Sequence, residues 1–130
     1  AYVEGMIEAE RVEVGGPVEA RKIVAKKEFR VGGTARTVEG IEAERVEVGE
    51  RSRVRGPIRA KEVYVDWRGE VEDVEAERVE LEDRARARNI RAKVVVIGDR
   101  CKITGKVEYE ERLEVGRDVY FAEPPVKIEE

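Results

Sequence analysis

The chain has 130 residues, enough for one domain, with 26 basic and 30 acidic side chains and a formal net charge of −4. This near balance gives no reason to expect nucleic acid or an anionic membrane as a partner, because either favours a clear basic excess. A single cysteine excludes an intramolecular disulfide framework. No apolar run is long enough to span a bilayer or to form a secretory signal, so we expect a cytoplasmic protein without a membrane segment.

The residue types that are rare in this chain narrow its class further. There is no glutamine and only one asparagine, while Glu, Arg and Val dominate. Thermolabile amides are scarce and charged residues dense in hyperthermophile proteins. The composition therefore predicts a thermophilic source.

A repeat is visible from the start of the chain. Residues 7–15 read IEAERVEVG, residues 41–49 read the same nine letters, and residues 74–82 read VEAERVELE. The first two copies lie 34 residues apart, which is two periods of 17. Carried along the whole chain, a period of 16 to 17 gives seven repeats, which begin at Ile7, Val24, Ile41, Ile58, Val74, Ile90 and Val107.

Each repeat holds three pairs of apolar or small residues. The two members of a pair are separated by one residue that points outward, which is the inward-outward-inward alternation of a strand. In the third repeat these pairs are Ile41 and Ala43, Val46 and Val48, and Ser52 and Val54. Three short strands per turn describe a triangular prism, whereas the spacing lacks the 3.6-residue stripe of a helix. Glycines follow the second pair, where a tight bend or a positive φ is wanted: Gly15, Gly32, Gly49, Gly98 and Gly116.

We therefore predict an all-β fold, a single-domain, three-faced parallel β-helix (β-solenoid) of about seven coils over residues 1–130. Coil seven carries a one-residue insertion, and residues 122–130 form a C-terminal cap or tail. In the second repeat the register turns Lys26 inward, where we expect a local distortion or a side chain that snorkels to water.

Outward positions alternate in charge from one coil to the next. In a parallel stack each such residue meets opposite charge above and below, and a slip of one coil would place like charge on like. We interpret the pattern as a device that fixes the stacking register; the alternative is an ordinary solvated face. The fourth position of each coil gives the inter-coil charge ladder Glu10, Lys27, Glu44, Lys61, Glu77, Lys93 and Glu110.

Two stretches place a glycine before an apolar-x-small-x-x-apolar-x-apolar run: VRGPIRAKEVYV at residues 54–65 and ITGKVEYEERLEV at residues 103–115. This pattern resembles the bactofilin cytoskeletal domain, and the likeness covers nearly the whole chain. The resemblance implies a right-handed β-helix that polymerises without nucleotide, through its ends, into nonpolar filaments or sheets. Solenoid ends expose strand edges that pair with another chain unless they are capped. The candidate end-to-end contacts are Val3, Ile7, Val12, Leu113, Val119 and Phe121.

The charges at the two ends bear on how copies would meet. Glu8 and Glu10 at one end match Glu108 and Glu110 at the other, so head-to-tail stacking would bring like charges together. We therefore expect head-to-head and tail-to-tail contacts. An alternative is a dimeric binding module that regulates a partner protein, similar to the C-terminal domain of the septum-site division inhibitor. The expected partner is the chain itself, as homopolymer or homodimer, together with other proteins.

No enzyme, metal site or cofactor is expected. The chain has no histidine, which argues against a solenoid acyltransferase with a histidine base and against a His-ligated zinc site. Calcium-binding GGxGxD repeats and threonine ladders are missing, and the carboxylates are interleaved with basic residues. Cys101 stands in a column of small residues and is predicted to be an inert part of the core. Trp67 is predicted at a corner of coil four, beside Tyr64 on the outer face.

Overall fold

A computed structural model of the chain describes residues 2–128, and their side chains from Gly5 onward. These residues form strands and turns, without a helix. The thirteen strands are β1 (Tyr2–Val14), β2 (Val18–Val31), β3 (Thr34–Val48), β4 (Arg53–Arg55), β5 (Ile58–Arg59), β6 (Glu62–Val65), β7 (Asp73–Leu81), β8 (Arg86–Ala87), β9 (Asn89–Ile97), β10 (Lys102–Ile103), β11 (Val107–Val115), β12 (Tyr120–Phe121) and β13 (Val126–Lys127).

All strand pairings in the described residues are parallel and join equivalent strands of adjacent coils. The main sheet runs in the order β1-β2-β3-β5-β7-β9-β11-β13, with β4 and β6 attached beside β3. A smaller sheet, β12-β10-β8, continues the third face through the later coils. The fold is a β-solenoid of about seven turns, as the sequence predicts.

The core consists of inward columns that rise through the stack. On the second face the register runs from Val12 through Phe29 to Val46, and continues to Val95 and Leu113 in coil seven. Phe29 and Val46 are 0% exposed, because each β-branched or aromatic side chain is covered by its neighbours above and below. The predicted second-face columns, with the one-residue displacement in coil seven, are confirmed.

The second coil starts one residue earlier than the spacing predicts. Ile23, not Val24, pairs with Ile7 and Ile41, and Ala25 takes the inward place that the prediction gave to Lys26. Lys26 is exposed, so its expected inward position is wrong. The register shifts by one between Ala25 and Glu28 against both neighbouring coils, which is a β-bulge. Because the bulge adds one residue to the coil, the second-face residues keep the 17-residue spacing although the coil starts one residue early.

The third face also departs from the predicted alignment in the first coils. Val18 pairs with Ala35, and Ala35 pairs with Val54, so both belong to the column of Val54 rather than that of Ser52. The corner after the second strand is two residues longer from coil three onward, which explains the offset. Ser52 begins a separate column of buried small residues, followed by Gly69, Ala85 and Cys101.

At this corner the left-handed backbone positions are not taken by the predicted glycines. From coil three onward one residue per coil has a positive φ between 54° and 61°, and these residues are Arg51, Arg68, Arg84, Arg100 and Asp118. The amide of each arginine donates to a carbonyl of the following coil, as from Arg51 to Trp67 at 3.0 Å. The ladder therefore continues around the bend. Gly98 instead allows the backbones of adjacent coils to lie close together, because a Cβ there would lie 3.0 Å from the backbone nitrogen of Asp83.

Candidate assembly surfaces

The N-terminal end of the described solenoid is formed by β1. Within residues 2–128, β1 pairs only with β2, so its other edge has no partner strand among them. Ile7 and Val12 are partly buried against the core, whereas Ile23 and Phe29, which follow them in the same columns, are 0% exposed. The backbone of Val3 lies in β1, and its side chain lies outside the described part. One further coil would complete both columns.

The C-terminal end is covered only in part. β13 pairs with β11 at Glu108 and Tyr109, and the amide of Ile128 donates to the carbonyl of Tyr109 at 2.8 Å. Among the described residues the rest of β11 has no outer neighbour, and Leu113 is only partly buried. Val126 is 53% exposed, because its register partner Glu108 points outward.

The end of the third face adds two more predicted contacts. Val119 and Phe121 are partly buried against the core, and β12 is the outermost strand of its sheet. Together with Leu113 they form an apolar rim around the uncovered part of coil seven. The described candidate residues therefore lie in the first and last coils, and their role as contacts between copies stays a prediction.

Members of the charge ladder lie at the corner after the first strand of each coil, and few of them touch. Lys61 and Glu44 are 3.9 Å apart, and among the described residues this is the only ion pair within the ladder. Shorter pairs between coils lie in other columns: Arg30 to Glu47 and Arg53 to Glu70 at 3.0 Å. The column predicted from the sequence therefore has longer ion-pair distances than the column of Glu13, Arg30 and Glu47, although the charge alternation of that second column is also visible in the sequence.

A compact ion cluster links coils five and six. The Asp73 carboxylate accepts from Arg88 Nη2 at 2.7 Å and from Asn89 Nδ2 at 2.8 Å. The hydrogen bond from Arg88 lowers the pKa of Asp73, with Asn89 contributing in the same direction. Asn89 Oδ1 in turn accepts from the amide of Lys106 at 2.8 Å. Sequence reasoning missed this cluster, although Asn89 is the sole asparagine of the chain.

Three side chains that the sequence singled out lie elsewhere. Cys101 is 1% exposed, its Sγ donates to the Glu82 carbonyl at 3.0 Å, and burial raises the pKa of the thiol. Trp67 is half-buried at the corner, beneath the guanidinium groups of two arginines. Burial, helped by Glu82, raises the pKa of Tyr64 to about 12.

Comparison of the chain with protein-family models, with curated proteins and with solved structures found no match. Within residues 2–128 there is no helix of the length and apolarity that crossing a membrane requires. In the same range no three His, Cys, Asp or Glu side chains are grouped so that they could hold a metal ion.

Proposed function

We propose that this chain is a non-enzymatic structural protein that assembles without nucleotide through the ends of its solenoid, as the bactofilin resemblance implies. The observation that carries the proposal is the edge of β1 that pairs with no strand within residues 2–128, with Ile7 and Val12 incompletely covered. An exposed edge above an apolar core pairs with another edge unless something blocks it. A second copy supplies both the missing strand and the missing apolar cover.

The N-terminal contact is head-to-head. A two-fold axis through the corner between Glu10 and Arg11 sets two β1 edges antiparallel, which is a self-complementary interface. In that register Ala9 faces Val12 of the other copy, and both lie on the inward side. Glu10 then faces Arg11 twice, whereas Glu8 faces Glu13, so one of the two acidic residues that oppose head-to-tail stacking finds a basic partner.

Head-to-tail growth meets an obstacle at the C-terminal end. Continuing the stack would place Glu8 and Ala9 of the next copy on Glu108 and Tyr109, where β13 already pairs. β13 would have to leave before such a contact forms. Tail-to-tail contact instead uses the uncovered rim at Leu113, Val119 and Phe121.

The partial cover of the C-terminal end also supports an alternative function. If β13 blocks that end completely, only β1 remains free, and assembly stops at a head-to-head dimer. The protein would then be a dimeric binding module that regulates another protein. The two proposals differ in whether the C-terminal rim makes a contact.

Light scattering coupled to size-exclusion chromatography tests the proposal with one lysine at each end. Val12→Lys and Leu113→Lys each put an ammonium group at one end of the solenoid. In the monomer this group is hydrated, whereas a contact between two copies would remove its water and is therefore disfavoured. With two distinct contacts, either variant alone stops at dimers and the double variant is monomeric. Val38→Lys is the matched control, since Val38 is 82% exposed and away from both ends.

Other outcomes separate the alternatives. A wild-type dimer that Val12→Lys dissociates and Leu113→Lys leaves intact supports the dimeric module. Monomers from either single variant indicate head-to-tail growth and contradict the two-fold contact. A wild-type monomer at every concentration contradicts assembly altogether.

A further inference from the structure

One corner of the solenoid carries arginines in four successive coils. All four are exposed, and each has a left-handed backbone with φ between 56° and 61°. Glycine, asparagine and aspartate adopt this conformation more readily than residues with long side chains do. Asp118 occupies the same corner of coil seven with a φ of 54°, so a short side chain fits there. The arginine row, as we name it, consists of Arg51, Arg68, Arg84 and Arg100.

The charge arrangement in the arginine row differs from that of many other columns. Arg30, for example, faces Glu47 of the adjacent coil, although Arg86 and Lys102 of the third face also stack like charges. In the row, like charges stack on rungs about 4.8 Å apart. Among the described residues no carboxylate oxygen lies within 4.0 Å of these four guanidinium groups. An unfavourable backbone and an unfavourable charge pattern therefore coincide, as is typical of a functional position.

The arginine row lines an open groove of about 1150 Å³. Outward residues of the third face line the groove as well, among them Arg53, Arg86 and Lys102. The groove-lining residues carry seven positive and two negative charges, although the whole chain has a net charge of −4. The near balance of acidic and basic residues over the whole chain gives no reason to expect nucleic acid, but it averages over faces that differ in charge.

Aromatic rings accompany the basic residues of this groove. The guanidinium groups of Arg51 and Arg68 lie 5.1 and 4.7 Å from the ring centroid of Trp67, which helps to orient them. Tyr120 lines the groove and is 55% exposed, with Lys102 Nζ 5.8 Å from its ring centroid. Nucleic-acid bases stack on exposed aromatic rings and on guanidinium planes.

We propose that the groove binds single-stranded nucleic acid, with phosphates on the arginine row and bases toward Tyr120. A straight row of positive charges matches a linear polyanion better than a single phosphate or the flat surface of a membrane. The aromatic rings favour nucleic acid over an acidic polypeptide, which has no bases to stack. The groove lies along the side of one chain, so binding does not require assembly through the ends.

Fluorescence anisotropy with a labelled oligothymidylate of about 20 nucleotides measures this binding directly. With four phosphate contacts the affinity falls about 50-fold between about 50 and 200 mM salt. Trp67 is the sole tryptophan and lies beneath the row, so its fluorescence reports occupancy of this site in the wild-type protein. We expect both signals to saturate at the same oligonucleotide concentration.

A matched pair of variants tests the row itself. When all four row arginines are changed to Asn, the corner carries a residue type that adopts the left-handed backbone readily. The melting temperature is therefore unchanged or raised. Binding falls at least about 30-fold and loses most of its salt dependence. The control makes the same change of charge at four exposed arginines outside the groove and binds like wild type; these are Arg36, Arg45, Arg78 and Arg91.

A single substitution keeps the test valid if the quadruple variant does not fold. Arg84→Asp copies the residue that stands at this corner in coil seven, and it also weakens binding. The proposal is overturned by absence of binding at about 50 mM salt, or by equal losses in the row and control variants. It is also overturned if polyglutamate displaces the oligonucleotide at a lower concentration of charge, which would identify an acidic polypeptide as the partner.

Discussion

The early and late coils share their inward columns but turn the corner after the second strand in different ways. In the first two coils glycine-rich bends at residues 15–17 and 32–33 lead directly into β2 and β3, which have 14 and 15 residues. From Arg51 onward the corner holds a left-handed residue, and the third-face strands shrink to two or three residues. The inward columns thus determine the stacking, while the corner determines which surface the third face presents.

The largest expected effect breaks the core that both regions share. Phe29 has the largest fully buried side chain. Phe29→Ala removes it from close-packed neighbours, and the free energy of unfolding falls by about 3–5 kcal/mol. Phe121→Ala, at the partly covered end, lowers it by less than about 2 kcal/mol. Urea denaturation of both variants measures the difference, and equal losses would contradict the distinction between core and end.

The junction between the two regions depends on a glycine in coil three. Gly40 has a φ of 104°, and a Cβ there would lie 2.6 Å from the carbonyl oxygen of Pro57. Gly40→Ala therefore lowers the free energy of unfolding by more than about 1 kcal/mol. Gly15→Ala is the control, since a Cβ there meets no atom within 4 Å. Chemical denaturation that finds the two substitutions equal would show that the junction is not strained in this way.

Substitution by glycine is expected to change the free energy of unfolding in opposite directions at two arginines of the late coils. Arg84→Gly relieves a left-handed backbone and raises the free energy of unfolding by up to about 1 kcal/mol. Arg86→Gly, two residues later in β8, loosens an ordinary strand and lowers it by about 0.5–1 kcal/mol. Melting temperatures of the two variants compare them directly. A loss at Arg84 as large as that at Arg86 would mean that the row does not strain the fold.

The smallest effect concerns the exposed ion cluster at Asp73. Because its folded pKa is lowered, the Asp73 carboxylate stabilises the fold above its ordinary pKa of 3.8, and this contribution is lost as the pH falls through the folded value. Asp73→Asn lowers the free energy of unfolding at pH 7 by no more than about 1 kcal/mol, since water screens the pair. Urea titrations at neutral and acid pH check this: the difference between variant and wild type should shrink in acid.

Much of the architecture was predictable because inward residues repeat in type. Val46 and Val48 recur with the same spacing in every coil, so the second face and the number of turns followed from the sequence. The start of coil two did not, because Ile23 and Val24 are both apolar and the bulge preserved the average period. Spacing alone cannot choose between two adjacent apolar residues.

The arginine corner escaped prediction for a different reason. Glycine is the usual marker of a left-handed bend, and arginine is not, so the sequence predicts the bends at Gly49 and Gly98. A signal was present, since an arginine recurs at intervals of 17, 16 and 16 residues from Arg51 to Arg100. The position of the two end coils follows from the repeat itself, because a first or last coil has a neighbouring coil on one side unless a cap covers the other. How those ends meet depends on side-chain partners that a repeat pattern does not specify.

Negative-stain electron microscopy of the purified, nucleotide-free chain tests end-to-end assembly most directly. The account predicts filaments or sheets in which neighbouring subunits point in opposite directions along the solenoid axis. Lower salt should change their length, because charged residues lie at both ends. Uniform small particles at low and high salt, or filaments whose subunits all point the same way, would contradict it.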